Sequence, residues 1–508
     1  MILEVLDGGR PDQTAISVAG GASATYAGLR QQVDRLVRQL NGFGLARGDR
    51  IAMALGNGLE MVASFLASAT AGTAAPLNPS YKYDEFKFYL EDTRAKALIL
   101  PAGDLPDARR AATDTGIAII EAGIDANGQV VYSCNRAVGP PARTDHPDNH
   151  PDNHPDNNDV ALMLHTSGTT SRPKRVPLSH QNLLTSARNV SSWYQLGPED
   201  VSLCVMPLFH VHGLVASTLA TFKTGGTVAV VPKFNPLSFW PTVKEYRATW
   251  YSAVPTIHQV LLARSKKGSR SPGVEHLRFI RSCSAPLAPQ TMADMEERFG
   301  LPVVEAYGMT EAAHQMASNP LPPGIRKPGS VGTGTSVEVA ILDEAGSLLA
   351  HRERGEVCIK GPNVFGGYED NPDANNASFT NGWFRTGDQG FLDENGYVTL
   401  VGRIKELINR GGEKISPREI DEALQCHPAV AEAVCFGIAD RVYGEEVAAA
   451  VVPKYEVSEA ELIKHCTSLL ADFKVPRVIH IVDAIPRTAT GKIQRRIVAS
   501  TLDKSQQR

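Results

Sequence analysis

The chain has 508 residues, 42% of them apolar, and a formal net charge of −4 from 51 basic and 55 acidic side chains. Single cores stop growing at roughly 250–300 residues, so more than one domain is expected. The near-neutral balance gives no footprint for nucleic acid or a membrane surface, and no apolar run approaches the ~20 residues of a membrane span.

The opening MILEVLDGGRPDQTA lacks the basic and long apolar segments of a secretory leader, and the closing KSQQR is no peroxisomal address. Seven cysteines are scattered with no CxxC pair. An odd, dispersed set argues against a disulfide framework and for a reducing cytoplasm.

Leu29, Val33, Leu36 and Leu40 recur at helical spacing. Gly48-Asp49 ends that unit. Ile51–Leu55 reads as a buried strand, Leu59–Ala71 as a helix and Ala74–Leu77 as another strand. This alternation predicts an α/β sheet, largely parallel. Residues 146–157 repeat HPDN three times. The regular His and Asp offer a weak metal set, but Pro and Asn favour turns and nothing pins the ligands; a solvated linker is the plainer reading. Strands follow at Val160–Leu164, Ser202–Met206, Thr227–Val231 and Phe279–Ser282. From Glu356 the texture turns β-rich. After Arg403, helical and strand patterns resume, so a boundary falls near Arg403–Lys405.

Four stretches carry chemistry. Residues 164–178 read LHTSGTTSRPKRVPL. Nothing apolar interrupts from Thr166 to Arg175, so this is neither a buried strand nor an amphipathic helix. Thr166, Ser167, Gly168, Thr169 and Thr170 offer hydroxyls and backbone N–H groups to an anion, and Lys174 adds a cation. It is not a Walker loop, because the second glycine and the GK[ST] ending are missing. EAYGMTEAAHQM at 305–316 sets Tyr307 to stack on a base, Thr310 to donate to a phosphate and Glu311 to hold Mg²⁺. Its plainer reading is a polar turn entering a helix. RTGDQG sets Asp388 in a glycine-flanked turn, where it can accept from two ribose hydroxyls or serve as an ordinary turn residue. PRTATGKIQRR puts Lys492 after Gly491, either a cation for a developing phosphate charge or a solvated basic tail.

Together and in this order, TSGTTSRPK, YGMTE, RTGD, GRIKELINRGGEKISP and PRTATGK resemble the adenylate-forming superfamily of acyl-CoA synthetases, nonribosomal adenylation domains and luciferases. The resemblance covers almost the whole chain. It implies an α/β fold: a large N-terminal domain of packed α/β sheets with a β-rich lobe over 1–402, a hinge at 403–405, and a small mobile α+β C-terminal domain over 406–508. It also implies roles. Thr166–Lys174 matches the pyrophosphate loop. Ser284, Ala285 and Pro286 lie beside adenine, and Tyr307 stacks on it. Thr310 and Glu311 serve phosphate and Mg²⁺, with Glu311 as the metal residue. Asp388 and Arg403 hold ribose, Lys405 is the hinge, Lys492 is the catalytic lysine of adenylation, and Gly411 and Gly412 line a CoA tunnel. The family mostly reads PKG after the loop. Arg175 replaces that glycine, and slower loop closure or pyrophosphate release is the expected consequence.

The implied reaction joins a carboxylic acid to CoA through an acyl-adenylate, with ATP, Mg²⁺ and CoA as cofactors. A second carboxylate on a tiny acid needs buried donors. PLFHVHGL supplies His210 and TEAAHQM supplies His314; with Ser284 these are expected to hold it, and His212 is expected to be structural. The combination is similar to the oxalate–CoA ligases of the superfamily. A medium-chain or aryl acid:CoA ligase, a stand-alone enzyme loading a carrier protein, and a non-catalytic nucleotide sensor are the alternatives. The expected partners are a small carboxylic acid, ATP and CoA, with no nucleic acid and no membrane insertion, in a cytoplasmic monomer or homodimer.

Overall fold

Leu29, Val33, Leu36 and Leu40 fall on one face of the helix Tyr26–Gly42 and are all buried. Thr25 caps that helix by accepting the Gly28 N–H at 3.1 Å. The helix Leu59–Ala71 is apolar all round and is buried all round. It packs on strands of both large sheets. These elements belong to a computed structural model, which describes residues 1–140, 156–166, 173–266, 270–488 and 493–506.

The first large sheet has nine strands. Its centre runs Val303–Met309, Phe279–Ser282, Trp250–Ala253, Val201–Cys204, Thr227–Val230 and Thr14–Val18, all parallel. The second has seven strands, with Ala118–Ile124, Ala97–Pro101, Arg50–Met53, Thr73–Pro76 and Val160–Thr166 parallel. Both therefore carry the expected parallel core. Both also end on antiparallel pairs that the alternation of helix and strand did not reveal. One of these matters for the site: Val160–Thr166 returns as Lys174–Ser179, with Thr166 opposite Lys174 and His165 opposite Arg175. The strands on either side of the Thr/Ser/Gly-rich stretch thus pair antiparallel.

A five-stranded lobe follows, built on Gly355–Lys360 and Trp383–Leu392 and closed by Val398–Arg403. One 3₁₀ turn, Ile404–Glu406, then leads to a separate five-stranded sheet around Val430–Asp440 and Gly444–Pro453. The helices Pro417–Gln425 and Glu459–Leu469 pack on each other, the first also against the strand Val430–Asp440. The large N-terminal domain and small C-terminal domain are therefore as expected. Two bonds seat the tail on the lobe: Ser416 Oγ donates to the Val401 carbonyl at 2.6 Å, and Arg418 Nη1 donates to the Leu400 carbonyl at 3.1 Å. All seven cysteines are free. No helix among the described residues is long and apolar enough to cross a membrane.

Candidate active site

Parallel strands present ligands at their carboxyl ends. Phe279–Ser282 and Val303–Met309 are neighbours, so Ser284 and Tyr307 emerge side by side at one edge. They open onto a cleft of about 300 Å³ between body and tail, lined also by Ala285, Pro286, Asp388 and Arg403. That volume suits a nucleotide-sized ligand. Tyr307 is 8% exposed and donates its hydroxyl to Asp388 Oδ2. Burial, then the Asp388 charge, pushes that phenol well above its ordinary range. Arg403 Nε donates to Asp388 Oδ1 at 2.8 Å. The carboxylate thus sits fixed at the mouth of the cleft with lone pairs to spare.

A second group surrounds Glu311, which is 6% exposed in the turn Thr310–Ala312. Tyr368 donates its hydroxyl to Glu311 Oε1 at 2.7 Å, and Lys174 Nζ lies over the Tyr368 ring, 4.3 Å from its centre. Burial pulls the Lys174 ammonium below its ordinary value; Glu311 opposes that pull and Lys405 adds to it. Lys174 therefore faces the Glu311 carboxylate, with Lys405 close enough to Lys174 to repel it. Thr310 is buried beside it. A carboxylate with no ion pair of its own among the described residues, held in place by a phenol, fits a hard divalent cation shared with phosphate oxygens.

Arg175, the residue standing where a glycine was expected, has a defined place. Its side chain is 10% exposed and binds Glu369 Oε2 at 2.7 Å, Asp370 Oδ2 at 2.6 Å and the Asp92 carbonyl at 2.7 Å. Glu369 N–H returns a bond to the Arg175 carbonyl at 3.2 Å. Glu369 follows Tyr368, so Arg175 ties the Lys174 strand to the segment that orients Glu311. The substitution therefore anchors the strand pair. Losing one partner of a buried pair costs about 3–5 kcal/mol. Asp370 is half-exposed, so Arg175→Gly should cost less, about 2 kcal/mol. A lower thermal midpoint together with a raised KM for ATP is the expected result; a lower midpoint with unchanged KM would limit the network to stability.

The third group lies behind Ser284. Its φ of +72° is unusual for a residue with a Cβ, and such strain gathers at functional sites. Ser284 Oγ is 2.9 Å from His212 Nδ1, and His212 Nε2 is 2.6 Å from Ser252 Oγ. The His212 and His314 rings are 5.2 Å apart. His212 begins a π-helical stretch, His212–Leu219, in which Thr218 Oγ1 bonds back to the Gly213 carbonyl at 2.9 Å. Gly308 lets this corner close, because a Cβ there would collide with the His314 carbonyl. Arg281 is fully buried at the centre, 3.4 Å from His314 Nδ1 and 2.8 Å from Ser252 Oγ.

The structure therefore brings Ser284, Ala285, Pro286, Tyr307, Asp388 and Arg403 to one cleft, and gathers Thr310, Glu311 and Lys174 at a second point. His314 and Ser284 meet through His212, the histidine expected to be structural. His210 sits half-buried two residues earlier, its N–H on the Pro207 carbonyl at 3.3 Å. Gly411 and Gly412, both at positive φ, form the turn between Ile408–Arg410 and Glu413–Ile415, outside the cleft lining. Ser167, Gly168, Thr169, Thr170 and Lys492 lie outside the described residues, as does the HPDN repeat up to residue 155. Ile493, next to Lys492, lines the cleft. Arg281 and Tyr368 carried no signal in the sequence: each is one ordinary residue in an ordinary strand or loop.

Comparison with known proteins agrees with this geometry. The "AMP-binding enzyme" family matches residues 5–369, and the "AMP-binding enzyme C-terminal domain" family matches residues 419–492. The chain is 48% identical over 503 residues to an "Oxalate--CoA ligase" of Arabidopsis thaliana, covering 96% of this chain and 95% of that one. It is 45% identical over 483 residues to an "Oxalate--CoA ligase" of Saccharomyces cerevisiae, covering 90% and 88%. Among solved structures, ATP-bound MatB from Rhodopseudomonas palustris superposes with a TM-score of 0.88 at 30% identity over 99% of each chain. A nucleotide-sized cleft at the strand ends, a docked C-terminal domain and matches spanning both domains lead to one conclusion: the chain belongs to the AMP-binding enzyme family.

Proposed function

We propose that this protein is an AMP-forming oxalate:CoA ligase. The observation that carries the reading is the buried polar cluster of Ser284, His212 and His314 around a fully buried guanidinium. A fatty chain wants apolar walls, whereas a second carboxylate needs donors and positive charge. The identity to oxalate–CoA ligases of a plant and a yeast supports the same substrate.

A carboxylate is a poor acyl donor because its oxygen leaves badly. One oxalate oxygen attacks the α-phosphorus of ATP, the bond to the β-phosphate breaks, and pyrophosphate departs. Tyr307 stacks on adenine beside Ser284, Ala285 and Pro286, and Asp388 with Arg403 holds the ribose. Thr166–Lys174 cradles the phosphates with Thr310, and Lys492 neutralises the charge that develops. Glu311 would hold Mg²⁺, which supplies charge neutralisation at the phosphates. His314, Ser284 and His210 keep the distal carboxylate oriented. The CoA sulfur then attacks the acyl carbon and AMP leaves. Since the tail lines one wall of the cleft, the thiol needs that wall to move. Rotation about Lys405 provides this, and it would carry Gly411 and Gly412 toward the pantetheine path.

Two measurements test the substrate. Oxalate, malonate, acetate, octanoate, benzoate and coumarate are compared for CoA-dependent AMP formation, and oxalate should lead. His314→Ala should then lower kcat/KM for oxalate by roughly 10- to 100-fold, the worth of one hydrogen bond to a charged group. An octanoate or coumarate preference left intact or improved by the same change would identify a fatty or aryl acid enzyme instead. Acyl transfer to a carrier protein but not to CoA would identify the stand-alone class.

A further inference from the structure

We infer that Arg281 is the positioning residue that makes the acid pocket a receptor for an anion, by setting which way the protons of His212, His314 and Ser284 point. The inference rests on the oxalate reading and deepens it.

Arg281 lies in the middle of the strand Phe279–Ser282 and is 0% exposed. No carboxylate pairs with it among the described residues. Its N–H groups go to neutral acceptors instead. Nε donates to Tyr194 Oη at 3.0 Å, Nη1 to Ser252 Oγ at 2.8 Å and Nη2 to Gln315 Oε1 at 2.9 Å. The remaining contacts face ring nitrogens, His212 Nε2 at 3.5 Å and His314 Nδ1 at 3.4 Å. A buried cation without a counter-ion is costly, and folding alone gives no reason to keep one. A second carboxylate bound next to it supplies the missing charge.

Proton bookkeeping gives the direction. A guanidinium only donates. Arg281 Nη1 donates to Ser252 Oγ and also faces His212 Nε2, so Nε2 presents a lone pair and takes the Ser252 proton. His212 then carries its own proton on Nδ1 and donates it to Ser284 Oγ. Ser284 Oγ, having accepted, has its hydroxyl proton free for the substrate. By the same logic, Arg281 Nη2 faces the lone pair of His314 Nδ1, which leaves the proton on Nε2. One fixed charge thus sets two tautomers and one hydroxyl, with no proton taken from solvent.

The test uses the full-length enzyme and acid-dependent ATP–pyrophosphate exchange with two acids of equal size. Oxalate carries a distal carboxylate and oxamate a neutral amide. Arg281→Met should lower kcat/KM for oxalate by roughly 30- to 100-fold while oxamate changes by less than about threefold. Ser252→Ala removes the hydroxyl bridge and leaves only the 3.5 Å contact between Arg281 Nη1 and His212 Nε2; it should lower the oxalate:oxamate ratio in the same direction by less, and it keeps the question answerable if Arg281→Met fails to fold. ¹⁵N spectra of histidine-labelled enzyme should show His212 protonated on Nδ1 in the wild type and a mixture of tautomers in Ser252→Ala. An equal loss for both acids would assign Arg281 to structure alone and overturn the inference. So would an unchanged ratio with the pH optimum moved to lower pH, because the histidines would then hold the anion by protonating. If wild-type enzyme exchanges none of its label with oxalate, the functional reading itself falls, and the inference with it.

Discussion

Replacing Lys492 by alanine should cut acid-dependent ATP–pyrophosphate exchange by about 100- to 1,000-fold, the usual cost of removing one donor aimed at developing charge. Thioester formation from chemically prepared acyl-adenylate and CoA should stay within a few fold of wild type. The expectation comes from the described residues that follow that position in the sequence. Ile493 pairs with Arg487, and both line the cleft that also exposes Ser284 and Tyr307. The helix that follows is held by Arg495, which bonds Asp421 Oδ2 at 2.8 Å and reaches Glu406 Oε2 at 3.4 Å. Ile493, which follows Lys492 in the sequence, is thus carried on the tail and referred to the turn at Ile404–Glu406. Only the first half-reaction passes through a transition state at the α-phosphorus with pyrophosphate leaving. Equal losses in both halves would mean that Lys492 binds AMP in general, and the separation of the two steps by a moving tail would lose its main support.

The two α/β layers were legible because their signal is local. Alternating apolar runs and helical stripes need no knowledge of neighbours, so Leu59–Ala71 and Phe279–Ser282 take the bounds expected. The cleft was legible for another reason: Tyr307, Asp388 and Arg403 sit in motifs, although the partners are 81 and 15 residues apart along the chain. Arg281 had neither kind of signal. Its burial follows from the strand order, which puts Trp250–Ala253 on one side and Val303–Met309 on the other. The partners of Arg175 had no local signal either. A side chain in place of glycine suggests a slowed loop, but its acidic partners Asp92 and Asp370 lie 83 and 195 residues away. His212 and His210 are two residues apart and look alike in HVH; only the π-helical turn decides that His212 meets Ser284. Side chains whose work depends on non-local packing stay silent in a single sequence.

Glu311→Gln should be the other large loss, and it separates the charge of this side chain from its shape. Glutamine keeps an oxygen to accept the Tyr368 hydroxyl now bound at 2.7 Å, and it fills the same buried space. What it removes is the negative charge facing Lys174. Without that charge, a divalent cation at the phosphates loses its protein ligand, since one or two carboxylates are the usual share that a protein contributes to Mg²⁺. Adenylation should fall by about 100-fold or more, and the Mg²⁺ concentration for half-maximal rate should rise at least tenfold. Tyr368→Phe, which leaves the carboxylate and removes its hydrogen bond, should cost only about tenfold. Thioester formation from supplied acyl-adenylate should be nearly unaffected by either change, because no pyrophosphate is made in that step. The decisive quantity is the Mg²⁺ dependence. If Glu311→Gln slows adenylation while the Mg²⁺ titration stays where it was, the carboxylate acts by balancing Lys174, and the cation must be held by the nucleotide alone.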